Sequence, residues 1–166
     1  MKFVADQRFA SGSPDEIARA FADPALFAHY PAGPRLAAPE LVAHEADGDV
    51  VRLQLRYRFC GDLSPAVRAV IDPDRLSWVE HSTHDLTAHT TTYVLRPDHY
   101  ADRLQCEGTV RVEADGSGAK RVLHGDLRVR ALLVAGTVER TLVNDLQDHL
   151  RSEVAVVEAF LAGSAG

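Results

Sequence analysis

The chain is poor in the residues that most specialised functions require. Cys60 and Cys106 are its only cysteines, which excludes a disulfide framework and any CxxC site. Lysine occurs only at Lys2 and Lys120, and the net charge is −6. That balance argues against nucleic acid, where neutralising phosphate is the main source of affinity, and against an anionic membrane surface. The longest late apolar run, Ala131 to Ala135, is far short of the roughly 20 residues of a membrane span, so no stable membrane insertion is expected. The opening MKFVADQRF reaches Asp6 before an apolar run can build a signal peptide. A cytoplasmic protein with reduced thiols is the expectation.

Catalytic signatures are equally scarce. There is no GxSxG elbow and no dinucleotide fingerprint, and His44-Glu45 does not continue as HExxH. Asp115-Gly-Ser-Gly-Ala-Lys120 lacks the GK[ST] ending of a phosphate loop and reads as a hairpin turn. His81, His84 and His89 form the densest histidine stretch. On a strand, however, His81 and His84 point to opposite faces and cannot share a metal. A Ser82/His84/Asp85 triad is rejected because strand neighbours are not expected to converge. No cofactor and no metal are expected.

What is present is patterned apolar sequence. With 166 residues, 46% of them hydrophobic and 25% charged, the chain suits one domain, 1–162, with a flexible tail at 163–166. Lys2 to Phe9 alternates with period two, as a strand does. Ser13-Pro14-Asp15-Glu16 carries a helix cap, an N-terminal proline and a capping box, and Asp23-Pro24 repeats the cap. Two short helices follow, then a proline-rich loop from Pro31 to Pro39. Strands are expected at Leu41–Ala46, Val51–Phe59, Val67–Ile71, Leu76–His84, Thr90–Leu95, Leu104–Val112 and Val122–Arg130. Alternation therefore counts eight strands with the first, one wet face outward.

The last element is a long helix over Gly136–Phe160, with Val138, Leu142, Leu146, Leu150, Val154, Val157 and Leu161 as its apolar stripe. About 25 helical residues span roughly 37 Å, enough to lie along a twisted sheet and cover its apolar face. Gln7, Tyr57, Trp78, Glu80, Tyr93 and His149 are the polar or amphipathic residues expected on that covered face. Buried polar groups cost about 1–3 kcal/mol unless paired, so they either satisfy one another or line a partly polar cavity. His149 and Glu153 stand one turn apart on the helix flank and can pair. Cys60 and Cys106 are expected to pack as small apolar residues.

The order of strand, two short helices, long antiparallel meander and long C-terminal helix resembles the helix-grip fold of the START-like (SRPBCC) superfamily. Its members include lipid-transfer domains, polyketide cyclases and pollen-allergen proteins. The strings SPDEIARAFADP, YRFCGDL, DPDRLSWVE and LVAGTVERTL are similar to one bacterial family of unknown function within it. The resemblance implies an α+β fold in which about seven curved strands wrap a long helix. The eighth would be an interrupted strand or an added hairpin near Leu86–Thr92. It also implies an apolar cavity holding a small hydrophobic or lipid-like ligand. Tyr57, Phe59, Trp78, Tyr93, Leu104, Cys106, Leu127, Leu146 and His149 are the residues that would line it. Three functions fit: a binding protein, the expectation here; a cyclase, dehydratase or hydrolase using His149 or Glu80 as acid or base; and a ligand-free interaction module, for which a homodimer stays open.

Overall fold

The computed structural model describes residues 1–63, 65–69, 71–130 and 135–164. Strand β1 (Lys2–Phe9) leads into helices α1 (Pro14–Ala22) and α2 (Pro24–Phe27). The meander follows as β2 (Glu40–Asp47), β3 (Val50–Arg58), β4 (Ser77–Asp85), β5 (Thr90–Pro97), β6 (Leu104–Asp115) and β7 (Gly118–Val129). A short helix α3 (Pro65–Arg68) and a 3-10 turn (Pro73–Arg75) interrupt it between β3 and β4, and α4 (Ala135–Ser164) closes the chain. The seven strands form one antiparallel sheet in the order β1-β7-β6-β5-β4-β3-β2. Only the β1–β7 pairing departs from chain order.

Local chemistry explains the boundaries. The Ser13 N–H donates to Glu16 Oε2 at 2.8 Å and the Glu16 N–H to Ser13 Oγ at 3.3 Å, a reciprocal capping box. Asp23 caps α2 by accepting from the Ala25 N–H at 2.8 Å. The β2–β3 and β6–β7 hairpins turn at Gly48 (φ 57°) and Gly116 (φ 61°), a region that glycine enters without steric penalty.

Three expectations are corrected. The strand expected at Val67–Ile71 does not form: the backbone from Pro65 to Arg68 is helical. Proline is preorganised for a first helical turn and cannot donate to a strand ladder, and three alternating apolar residues are too few to outweigh that. Residues 64 and 70 lie outside the described set, as do 131–134 of the Ala131–Ala135 run. The long helix comprises 30 residues and passes through Gly163 to Ser164, about 45 Å at 1.5 Å per residue. Of the expected tail, only 165–166 lie beyond it, outside the described residues. Cys60 is exposed rather than packed, while Cys106 is buried. Strand β3 ends at Arg58, and Cys60 follows in the loop at an even position, the parity that faces outward along the strand.

The buried line of α4 also differs from the expected stripe. Val138, Val143, Leu150, Glu153 and Val157 are buried, whereas Leu142, Leu146, Val154 and Leu161 are half-buried. Helix α4 packs on β1, β7 and α1. One apolar cluster joins α1, α2 and β3 to Val157. A second joins β6 and β7 to Val138 and Val143.

Candidate functional site

Three elements deliver the polar side chains of one network to the concave side of the sheet. Arg121 of β7 donates from Nη1 to Gln7 Oε1 of β1 at 2.6 Å and lies 3.7 Å from Glu153 Oε2 of α4. Gln7 Nε2 donates to Glu153 Oε2 at 2.8 Å and to the Leu150 carbonyl at 2.6 Å. His149 Nε2 meets Glu153 Oε1 at 3.3 Å, one helical turn away. The Arg121 guanidinium sits 3.9 Å from the Phe21 ring centroid, a cation–π contact. Every polar atom of Gln7 and both Glu153 oxygens thus have partners, as buried polar groups require.

Burial alone would raise the Glu153 pKa. The His149 hydrogen bond, the charges of His149 and Arg121 and the Gln7 amide hold it below the ordinary range. Burial pulls His149 down, but its bond to Glu153 and the nearby carboxylates lift it above an ordinary imidazole. The hydroxyls of Tyr30 and Tyr93 are buried and make no hydrogen bond of ordinary geometry among the described residues, although Glu153 lies close enough to the Tyr30 hydroxyl to raise its pKa. Withdrawal from water raises the pKa of both phenols, so both stay protonated at neutral pH.

Glu80 stands apart. On β4 it lies between Leu55 of β3 and Leu95 of β5. Burial pushes its carboxyl up to about 7; the Arg121 and His149 charges pull the other way, and Glu153 adds to the rise. No group stands at hydrogen-bond or ion-pair distance from it among the described residues. An acid whose folded pKa lies above its unfolded value is favoured by folding only while protonated. The Glu80 contribution is therefore neutral below about pH 4.5 and turns increasingly destabilising up to about pH 7, then levels off. Urea midpoints of the wild type minus those of Glu80→Gln are expected to fall across that window. A flat difference would contradict the assignment.

The residues expected to line a cavity separate into two groups. Leu104, Cys106 and Leu127 are buried in the second apolar cluster, and Phe59, Trp78, Tyr93 and Leu146 are half-buried against it. Tyr57 belongs to the first cluster and stacks on Trp78, with centroids 5.8 Å apart and planes at 18°. His149 is not among these apolar residues; it sits in the polar network, 6.4 Å from the Tyr30 ring. Burial pushes the Cys106 thiol up to about 12, which leaves it a packing group.

Other candidates resolve differently from expectation. Ser82 and His84 do converge, because positions two apart on a strand share a face: Ser82 Oγ lies 3.0 Å from His84 Nε2. Asp85 turns outward and accepts from the Ala88 N–H at 2.9 Å. Thr91 Oγ1, not a carboxylate, meets His84 Nδ1 at 3.1 Å. Burial lowers His84 to about 4, so it stays neutral. His89 lies beside Asp15, 3.6 Å away. Among the described residues no three His, Cys, Asp or Glu side chains converge as metal ligands. A depression of about 500 Å³ opens between Phe59–Asp62 and Asp72–Asp74. It is separate from the polar network.

Arg121 was not among the expected site residues. Extending the β7 alternation two positions back from Leu123 would have placed it inward. Tyr30, also outside that set, faces His149 from the turn that follows α2.

The sequence profile of a family described as "Protein of unknown function (DUF2505)" matches residues 6–161. The chain belongs to this family. No curated protein matches the chain. Among solved structures, TTHA0849 from Thermus thermophilus is 16% identical, with a TM-score of 0.69 and all of both chains covered. Norcoclaurine synthase from Thalictrum flavum is 16% identical at a TM-score of 0.64, covering 97% of this chain and 86% of its own. The Zhui aromatase/cyclase from Streptomyces sp. R1128 is 15% identical at 0.62, covering 100% and 96%. At such identities the likeness is one of fold. The chain has the helix-grip fold of these structures, in which a curved antiparallel sheet grips a long C-terminal helix.

Proposed function

We propose that this protein binds a small, predominantly apolar molecule between α4 and the concave face of the sheet. One observation carries the reading. The inward-facing Trp78, Glu80, Tyr93 and Leu95 and the α4 residues Leu142 and Leu146 all keep accessible surface, although the residues around them are buried. A core closed on itself would cover them. The unpartnered hydroxyls of Tyr30 and Tyr93 supply the few polar anchors typical of such sites. No helix among the described residues is long and apolar enough to cross a membrane. With two free thiols, we place the protein in the cytoplasm.

Native mass spectrometry of gently purified protein should reveal a bound small molecule, and an apolar fluorophore should be taken up and displaced. Leu146→Trp fills the space from the helix side and is expected to weaken fluorophore uptake at least about tenfold, which is 1.4 kcal/mol. Uptake unchanged by that substitution, or absent altogether, would refute the reading.

A second reading rests on Glu80 and His149. A carboxyl near 7 and an imidazole raised above its usual value both suit acid–base chemistry at neutral pH. Two structural neighbours carry the names of enzymes, an aromatase/cyclase and a norcoclaurine synthase. Turnover of a bound molecule, abolished by Glu80→Gln or His149→Gln, would decide for it.

A further inference from the structure

Glu80 is the only carboxyl on the concave face that the network leaves without a partner among the described residues. Glu153 is held by Gln7, Arg121 and His149. Arg121, His149 and Glu153 are also the groups whose charge reaches Glu80, and none of them hydrogen-bonds to it. Trp78, stacked on Tyr57, lies two residues along the same strand and therefore on the same face. The face thus offers a flat aromatic surface, apolar neighbours in Leu55 and Leu95, and one carboxyl with no donor beside it, together with the unpartnered Tyr93 hydroxyl.

We infer that Glu80 is the recognition point for a ligand that is apolar and aromatic and carries one protonated amine. This rests on the binding reading above and narrows it. An ammonium supplies the donor and the positive charge that Glu80 lacks, and an adjacent indole face adds cation–π attraction. An anionic ligand would meet a second negative charge there, and a neutral one would leave the ionised carboxylate uncompensated.

The pH dependence follows from every group that faces Glu80. Arg121 comes from β7, His149 and Glu153 from α4, Tyr57 from β3, Tyr93 from β5, Cys106 from β6 and Tyr30 from the turn after α2. The tyrosines and Cys106 stay protonated, and Arg121 stays charged. Only Glu80 and His149 change charge near neutrality. Ionisation of Glu80 and deprotonation of His149 both favour a bound cation as pH rises.

Three probes sharing one ring system test this: naphthylmethylamine, naphthylmethanol and naphthoate, titrated by calorimetry into the full-length protein. At about pH 8 the amine is expected to bind at least tenfold more tightly than the alcohol, with naphthoate weakest. Between about pH 5.5 and 8 the amine's affinity should rise roughly thirtyfold, the change in the ionised fraction of a carboxyl near 7. Glu80→Gln, which removes an unfavourable buried charge and so should fold, is expected to abolish the amine's advantage over the alcohol. Residual pH dependence in that variant belongs to His149. Equal binding of amine and alcohol by the wild type, or a preference that survives Glu80→Gln, overturns the inference while leaving apolar binding intact. Failure of all three probes to bind overturns the binding reading itself.

Discussion

Replacing Arg121 with alanine is expected to cost about 3–5 kcal/mol of folding stability, the usual penalty for breaking a buried charge pair from one side. At roughly 2–4 °C per kcal/mol for a chain of this size, Tm should fall by about 10 °C. The guanidinium is 14% exposed and faces Glu153 at 8%, so solvent cannot take over its role. Its loss leaves Gln7 Oε1 without a donor and Glu153 with one cation fewer. It also strips the contact over Phe21.

The deficit has a pH signature. In the wild type Glu153 is held below its ordinary value, so its contribution is present above the unfolded pKa and lost as pH falls. Without Arg121 that contribution shrinks or reverses, and the two proteins should converge on acidification. Arg121→Met combined with Glu153→Leu and Gln7→Leu should recover most of the loss, because apolar side chains of similar volume leave no orphan charge. Arg121→Lys should not, since a point ammonium cannot both donate to Gln7 and lie flat on Phe21. A urea-derived loss below about 1 kcal/mol for Arg121→Ala would show that the network is not what joins α4 to the β1–β7 edge.

How far the sequence reveals this arrangement depends on the range of the signals. Caps, hairpin turns and alternation are local, and they recover β1, α1, α2 and most of the meander. That β1 returns to pair with β7 has no local signal. Errors arise where a short signal competes with a stronger constraint, as at Pro65. On the face of the sheet, Gln7, Glu80 and Tyr93 are legible because period two decides their direction. Glu153 is harder. A helix stripe drawn through Leu142 and Leu146 leaves it on the flank, yet the helix is rotated so that Val143, Leu150 and Val157 form the buried line. That rotation is set by tertiary packing, because Arg121 and Gln7 wait on the facing strands for a carboxylate. The pairing of Gln7 with Glu153 across 146 residues has no local trace at all.

Gly108→Ala is expected to be strongly destabilising, a clash of the same kind as at Gly118, where a methyl would stand 1.9 Å from the Phe9 carbonyl oxygen. Gly108 and Gly125 are direct partners across β6 and β7. A methyl at Gly108 would stand 2.1 Å from the His124 carbonyl oxygen and 2.5 Å from the Tyr93 hydroxyl. The first contact is backbone and can be relieved only by shifting the ladder. Overpacking of this kind ordinarily costs about 1–3 kcal/mol, and the upper end is expected here. At Gly125 a methyl would meet Phe3 Cζ at 2.2 Å and the Tyr93 hydroxyl at 2.8 Å, both side-chain atoms. The two positions should therefore respond differently to relief. Tyr93→Phe with Phe3→Leu should recover a substantial part of the Gly125→Ala loss but little of the Gly108→Ala loss. Gly163→Ala, where nothing lies within 4 Å, serves in the same urea series as the control without overpacking, expected to be no worse than the wild type because alanine favours a helix. The comparison also bears on the site. The Tyr93 ring reaches the concave floor because two facing glycines leave room for it, so its hydroxyl lies against the β6–β7 backbone. Equal recovery at both positions would mean that Tyr93 does not lie there. The anchor assigned to it in ligand binding would then fall as well.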